Sequence, residues 1–428
     1  MKVAIIGSGI AGNTLVWQLQ KAHDVTVYEA GSYLGGHTHT HDINLEGQSL
    51  RVDSGFIVFN ERTYPNFIAM LDKLGVEKQP TSMSFSVHCE KTGLEYAGTN
   101  LNALFSQRRN LFNRDFHRLL QDILRFNREA PELLGREDSG LTLGDYLRDG
   151  GYSRQFCDYY ILPMGAAIWS QDLEQMLYFP ARFFIRFFSN HGLLSIKNRP
   201  QWYVVKGGSR TYVDRIYDNF TGQIHLNTPV TAVRRFEDRV EITSQGGCEI
   251  FDAVFFACHS DQALAMLQDA TPQERETLAA LPYQRNTAVM HLGENLLPQR
   301  KRAWSSWNYR IPQGAQGDSH AATVTYHMNQ LQSLPIDTTI CVTLNNRAQI
   351  ADRDILAELE YDHPVFTEAG IRAQQNQSLL NGQWRSFYCG AYWRYGFHED
   401  GVVSALTALQ DFNQWCARHE EQPLPRAS

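Results

Sequence analysis

The chain opens on Lys2-Val3-Ala4-Ile5-Ile6, an apolar run with no polar alternation, which predicts a strand buried on both faces. A glycine turn, Gly7-Ser8-Gly9-Ile10-Ala11-Gly12, leads into the helical stretch Asn13 to Gln20, and Asp24-Val25-Thr26-Val27-Tyr28-Glu29 supplies a second strand. Further on, 51–59 reads as a strand, and a helix follows Tyr64-Pro65. Residues 224–233 and a hairpin to Ile250 precede a third buried run, Val254-Phe255-Phe256-Ala257. Ser386-Phe387-Tyr388-Cys389 reads as a last strand, with a helix from Val402. Strands interleaved with helices, each apolar along its whole length, predict an α/β fold built on a parallel sheet.

At 428 residues with 43% apolar and 20% charged positions, the chain is long enough for two or three units and is globular in composition. A net charge of −7 gives no overall attraction to phosphate, so no nucleic-acid partner is expected. Seven cysteines without a C-x-x-C pair point to a reducing, cytoplasmic setting and to neither a redox dithiol nor a zinc ribbon. The amino-terminal apolar run is too short for a signal segment, and the 159–171 run is broken by Pro163 and Gly165.

Strand, glycine turn, helix and a second strand ending on an acid 22 positions after the first glycine form a dinucleotide fingerprint. Gly7 permits the tight turn, Gly9 lets backbone approach a pyrophosphate, and Gly12 lets helix and strand pack closely. The pyrophosphate then meets free N–H groups at the helix N-terminus, while Glu29 accepts from ribose hydroxyls and repels a 2′-phosphate, favouring FAD or NAD over NADP. Only one such fingerprint is present. His37, His39 and His41 alternate with Thr38 and Thr40. On a strand they would share one face, read either as a polar face or as a metal site; no metal is expected, because no carboxylate or cysteine ligand accompanies them.

Beyond Glu29, Ala30-Gly31-Ser32-Tyr33-Leu34-Gly35-Gly36-His37-Thr38 adds a glycine pair. This resembles the superfamily of flavin amine oxidases, phytoene desaturases and protoporphyrinogen oxidases. Strings such as VDSGFIVFN, LPMGAAIWS, VTYHMN and CGAYWRYGFHEDG are similar to a bacterial branch encoded beside cyclopropane-fatty-acid-synthase-like methyltransferases. The resemblance spans nearly the whole chain. It departs at His37, where the family has an arginine near the cofactor phosphates, at Ala391, where an acid is usual, and at His327, where a tryptophan is expected.

The resemblance implies FAD in a Rossmann-like, glutathione-reductase-type domain formed by 1–80, 196–262 and 380–428, with an inserted α+β substrate domain of 81–195 and 263–379. Beside Gly7 to Gly12, Glu29, Ala30, Gly35, Gly36, His37 and Thr38, it carries cofactor contact to Gly55, Phe56, Val230, Ala257 and Gly390. It extends the same role to Glu399, Asp400, Gly401 and Val402 at the start of the last helix. Gly55 has a second reading as a bulge, and Asp400 as an N-cap. His398 is the ionisable group placed nearest the flavin, as a general base or as a wall of the pocket. The implied reaction moves hydride from a substrate C–H to flavin N5, on a fatty-acyl or phospholipid-linked substrate. Amine oxidation, a flavin-dependent isomerisation without net redox change, and an FAD-binding accessory role beside a methyltransferase stand as alternatives. No match appears to the lysine that many amine oxidases place near N5.

Trp169, Trp202, Trp304, Trp307, Tyr326, Tyr392 and Trp393 are candidates for an apolar channel, and Gly207-Gly208-Ser209 for a glycine loop near the ring. Residues 107–128 hold six arginines against two aspartates among apolar side chains, and 179–199 combine Arg182, Arg186, Lys197 and Arg199 with five phenylalanines. Such helices suit either a packed face with solvated arginines or peripheral contact with the inner membrane face.

Overall fold

A computed structural model describes residues 1–137, 140–196, 198–313 and 323–420. Its first sheet is parallel throughout. In spatial order it runs Gln223–His225, Asp24–Tyr28, Lys2–Ile6, Ala253–Phe256 and Ser386–Tyr388, which is chain order 3-2-1-4-5. The order reverses beside Lys2–Ile6, so the crevice where a dinucleotide binds opens there, at the carboxyl ends of the strands.

Both faces of this sheet are covered because side chains alternate along each strand. Val3, Ile5, Val25, Val27 and Phe255 pack under helices Ile10–Leu19, Pro65–Leu74, Arg210–Tyr217 and His398–Glu420. Ala4, Ile6, Val254 and Phe256 turn the other way, onto an antiparallel meander of Val230–Arg235, Val240–Ser244 and Gly247–Phe251. Helices Ser260–Met266 and Pro272–Ala279 complete that second face. The expected boundary at 262/263 is therefore corrected: it cuts through a helix, and Ala263, Leu267 and Leu278 bury against the nucleotide sheet.

The second unit is a seven-stranded sheet ordered Ile355–Pro364, Tyr283–Leu292, Ile340–Leu344, Val324–His327, Trp307–Ile311, Phe85–Cys89 and Leu94–Ala97. A single parallel pair, Trp307–Ile311 with Phe85–Cys89, joins its two halves. Helices between 101 and 190 pack on it. Within Ala181–Asn190, Phe184, Ile185, Phe187 and Phe188 are buried in that cluster, so the aromatic residues of 179–199 form core rather than an exposed lipid-facing stripe. Lys197 lies outside the described residues. The stretch 107–128 behaves differently: Phe116, Leu119 and Phe126 face inward, while Leu111, Phe112 and Leu124 are exposed.

One buried ion pair ties the meander to helix Pro272–Ala279, and through Tyr388 to the sheet. Arg235 and Glu274 have fully buried side chains, 2.5 and 2.9 Å apart through two parallel bonds, and Tyr388 donates to the same carboxylate at 2.6 Å. Arg235 also bonds Asp269 (2.9 Å), so removing Glu274 leaves the guanidinium one carboxylate instead of two. Glu274→Ala is expected to cost about 2–3 kcal/mol, read as a lowered urea midpoint. The apolar pair Arg235→Met with Glu274→Leu should recover most of it; an unchanged Glu274→Ala midpoint would contradict this role.

Candidate active site

The glycine turn is shaped by close backbone contacts. At Gly7 (φ +101°) a Cβ would lie 2.7 Å from the Ala257 carbonyl oxygen, and at Gly12 only 2.0 Å from that of Gly7. Gly9 has no heavy atom within 4 Å of such a position, so its face is open to the crevice. Glu29 ties this turn to the loop after the second strand: one carboxylate oxygen accepts from Ser8 N–H (2.9 Å) and Ser8 Oγ (2.6 Å), the other from Gly31 N–H (2.7 Å). A lone pair remains on the second oxygen for a ribose hydroxyl. Gly36 (φ +58°) lies against Gly9, where a Cβ would come within 3.1 Å of the Gly9 Cα.

These groups form one end of a cavity of about 1110 Å³. Gly7, Ser8, Gly9, Ile10, Ala11, Glu29, Ala30, Gly36 and His37 line it, with Gly55, Phe56, Val230, Ala257, Gly390 and His398. It continues into an arm walled by aromatic and aliphatic side chains, including Trp169, Trp202, Trp307 and Tyr326, with Tyr392 also on the wall. Open glycine backbone, a helix N-terminus, an acid at the second strand end and a long cavity fit an adenine dinucleotide. Trp304 and Trp393 are not on the wall. Trp304 packs on His327, whose Nδ1 accepts from Gln330 N–H (3.3 Å) at the start of helix Met328–Gln332.

Several expected cofactor residues stand elsewhere. Gly12, Gly35 and Thr38 lie behind the lining: a Gly35 Cβ would come within 2.4 Å of the Thr38 carbonyl oxygen. Glu399, Asp400, Gly401 and Val402 do not line the cavity. Glu399 accepts from Asn66 N–H (3.0 Å) and Phe67 N–H (2.9 Å), serving the free amides at the start of Pro65–Leu74. Asp400 accepts from Phe397 N–H (2.9 Å), and burial pushes its carboxyl up to about 7. Gly401 lets the last helix touch the first, since a Cβ there would lie 2.5 Å from Ile10 Cγ2; Val402 is core. Gly207 and Gly208 are likewise off the cavity. Their turn seats Ser209 N–H on buried Asp53 (2.9 and 3.1 Å), and burial pushes that carboxyl up to about 6.

Gly55 lines the cavity, yet its missing Cβ is required by another contact: the His37 carbonyl oxygen would lie 2.2 Å away. His37 is in a turn before the strand Thr40–Leu45, so the three alternating histidines do not share one strand face. His39 stacks on Tyr33 and meets His41 at a tilt, while His37 stacks on Tyr361. Among the described residues no group of three or more His, Cys, Asp or Glu is arranged to hold a metal ion.

His398 lies flat on Phe56, with ring centroids 3.6 Å apart. Its Nε2 is shared between Tyr212 Oη (2.9 Å) and Thr38 Oγ1 (3.2 Å), and burial holds its pKa well below the usual histidine range. The ring thus fixes the cavity wall, and its Nε2 is already engaged. Sequence reasoning missed His259, Tyr361, His363 and Arg199, which also line the cavity. Only Arg199 stood in a singled-out segment; the others carry no local motif.

A family model described as flavin containing amine oxidoreductase matches residues 10–337. No curated protein gives a significant match. Among solved structures, cyclohexylamine oxidase from Brevibacterium oxydans IH-35A is similar at 16% identity, TM-score 0.68, over 96% of this chain and 99% of that one. A CLA-producing fatty acid isomerase from P. acnes is similar at 16%, TM-score 0.67, over 95% and 98%. Wild-type putrescine oxidase bound to putrescine is similar at 15%, TM-score 0.67, over 96% and 99%. At these identities the structural matches establish the fold.

The open face of Gly9 gives a direct test. Gly9→Glu places a side chain and a negative charge in the cradle, and the purified variant should keep its far-ultraviolet dichroism while losing the absorbance of bound FAD. A yellow Gly9→Glu protein would refute the cradle.

Proposed function

This chain belongs to the flavin containing amine oxidoreductase family, and from that premise we propose that it removes hydride from a C–H bond of a fatty-acyl substrate, free or phospholipid-linked. It is an FAD-dependent oxidoreductase. Bound in the cradle, FAD supplies the two-electron acceptor. The chain supplies binding, orientation and exclusion of water.

The observation that carries the substrate reading is the composition of the cavity arm. Trp169, Phe187, Trp202, Trp307 and Tyr326 stand there with Met164, Ile168 and Leu193. The lining carboxylates are Glu29, Glu360 and Asp362; the first belongs to the dinucleotide cradle and the other two to the strand end that carries His363. Among the described residues no lysine lines the cavity, and Arg199 is the one lining arginine. An apolar chain gains from such walls roughly 25 cal/mol per Å² buried, whereas an ammonium group entering the arm meets no carboxylate to replace its hydration. Arg199 suits the carboxylate or phosphate at the head of an acyl chain.

A rearrangement of the same substrate without net oxidation is the second reading, supported by the shared fold of the fatty acid isomerase. Anaerobic mixing separates the two. Bleaching of the flavin by an acyl substrate supports dehydrogenation, product formation without bleaching supports isomerisation, and bleaching only by primary amines refutes both. Arg199→Glu should raise KM for an anionic acyl substrate on the order of tenfold with kcat little changed.

We place the enzyme on the cytoplasmic face of the membrane, beside a methyltransferase acting on the same lipid. No described helix is long and apolar enough to cross a membrane. Support for surface contact comes from 107–128 alone, where Phe112 is 89% and Leu124 55% exposed among arginines. Wild-type protein should pellet with phosphatidylglycerol vesicles and Phe112→Asp several-fold less; equal pelleting of the two refutes this face.

A further inference from the structure

His37, His363 and His259 meet along the cavity wall next to the glycine cradle. His37 and His363 have ring centroids 5.3 Å apart. His259, at the start of helix Ser260–Met266, stacks on Tyr283. His37 is half-buried on the wall, and its Nε2 is shielded from solvent without a hydrogen-bond partner among the described residues.

The protonation of His363 is set by a relay across three strands. Thr287 N–H donates to Asn345 Oδ1 (3.0 Å), which fixes that amide, so Asn345 Nδ2 donates to Asn286 Oδ1 (2.8 Å). Asn286 Nδ2 then donates to His363 Nδ1 (3.2 Å). A ring accepting at Nδ1 carries its hydrogen at Nε2. His363 is thereby a neutral donor, since a proton on Nδ1 would face the Asn286 amide hydrogens; burial and neighbouring His259 hold its pKa down at about 4.

No such relay restrains His37. The titratable groups acting on it are His363 from strand Ile355–Pro364, His259 from the segment after Ala253–Phe256, and His398 from the last helix, with Tyr361 stacked on its face. Each of these histidines, and burial above all, opposes a positive charge, and no carboxylate among the described residues offsets them. Asp362 and Glu360 line the same cavity, and Asp362 acts on His363 and His259, but neither acts on His37, whose unpartnered Nε2 beside the free amides of a helix N-terminus lacks an anion.

We propose that the FAD diphosphate is that anion: His363 donates Nε2–H to it, and His37 takes up a proton when FAD binds. Linkage fixes the direction of the pH effect. His37 is neutral in the FAD-free protein at neutral pH and is raised by the diphosphate, so binding consumes one proton between the two pKa values, and affinity weakens as pH rises toward the higher one.

The test uses the full-length protein freed of FAD and reconstituted with FAD, and it is independent of the substrate. Flavin fluorescence quenching should give a Kd that rises by up to about tenfold per pH unit for one proton within the range 5.5–8.5. Calorimetry in two buffers of different ionisation enthalpy should show net proton uptake. His37→Arg should bind FAD with a flat profile and no uptake, His37→Gln should bind weakly with a flat profile, and His363→Phe should weaken binding while keeping the slope. A wild-type Kd independent of pH without proton uptake overturns the proposal, as does an unchanged slope in His37→Arg. The wild-type measurements stand even if a variant fails to fold.

Discussion

The structure turns on a backbone contact with no room for a side chain. The Gly7 carbonyl lies under Gly12, and Gly7 itself lies against the carbonyl of Ala257, from a strand some 250 residues further along the chain. Those approaches bring the first helix, the first strand and the fourth to one point and leave the free amides of the helix facing the crevice. Gly36 then lies on Gly9, and Gly401 brings the last helix onto Ile10. Four distant segments thus share one small volume of main chain, and a methyl group at Gly7 or Gly12 would have to displace backbone rather than a flexible side chain.

That economy explains what could be read in the sequence. Glycines demanded by main-chain contact have few substitutes, so the fingerprint, Glu29 and the apolar strands announced the parallel sheet and its cradle from local spacing alone. At the carboxyl end the same residue types admitted two meanings. Asp400 could meet a cofactor, cap a helix or do both; the fold shows its carboxylate accepting from Phe397 N–H, and that of Glu399 serving the start of another helix. Gly207 and Gly208 mark a tight turn wherever it lies, and theirs serves Asp53. The phenylalanines near 184 looked equally suited to lipid or to core, because an arginine face accompanies both.

His363 was illegible for a different reason. Its character depends on Asn286, 77 positions away and reached across a strand pair, and on Asn345, which orients that amide. A polar residue on a strand has no signature for such a relay. The boundary at 262 failed similarly: the helices after it have apolar faces that fit any sheet, and only packing shows which one they cover.

The two ends of the cavity work by opposite electrostatics. At the cradle, charge is met by amides, by Glu29 toward hydroxyls and by half-buried imidazoles. The amides, Glu29 and His363 are held by their own hydrogen bonds before a ligand arrives, and only His37 changes its charge when it does. The aromatic arm is mostly apolar, with Arg199 as its charged group, and its low dielectric strengthens whatever charge develops at the junction. His398 stands at that junction, held neutral by burial with Nε2 engaged by Tyr212 and Thr38. A wall made of an engaged, uncharged ring pressed on Phe56 neither donates a stray proton nor admits water readily. Such a ring favours dry, rigid approach along the wall, whereas chemistry requiring a mobile base needs a group free to change its charge.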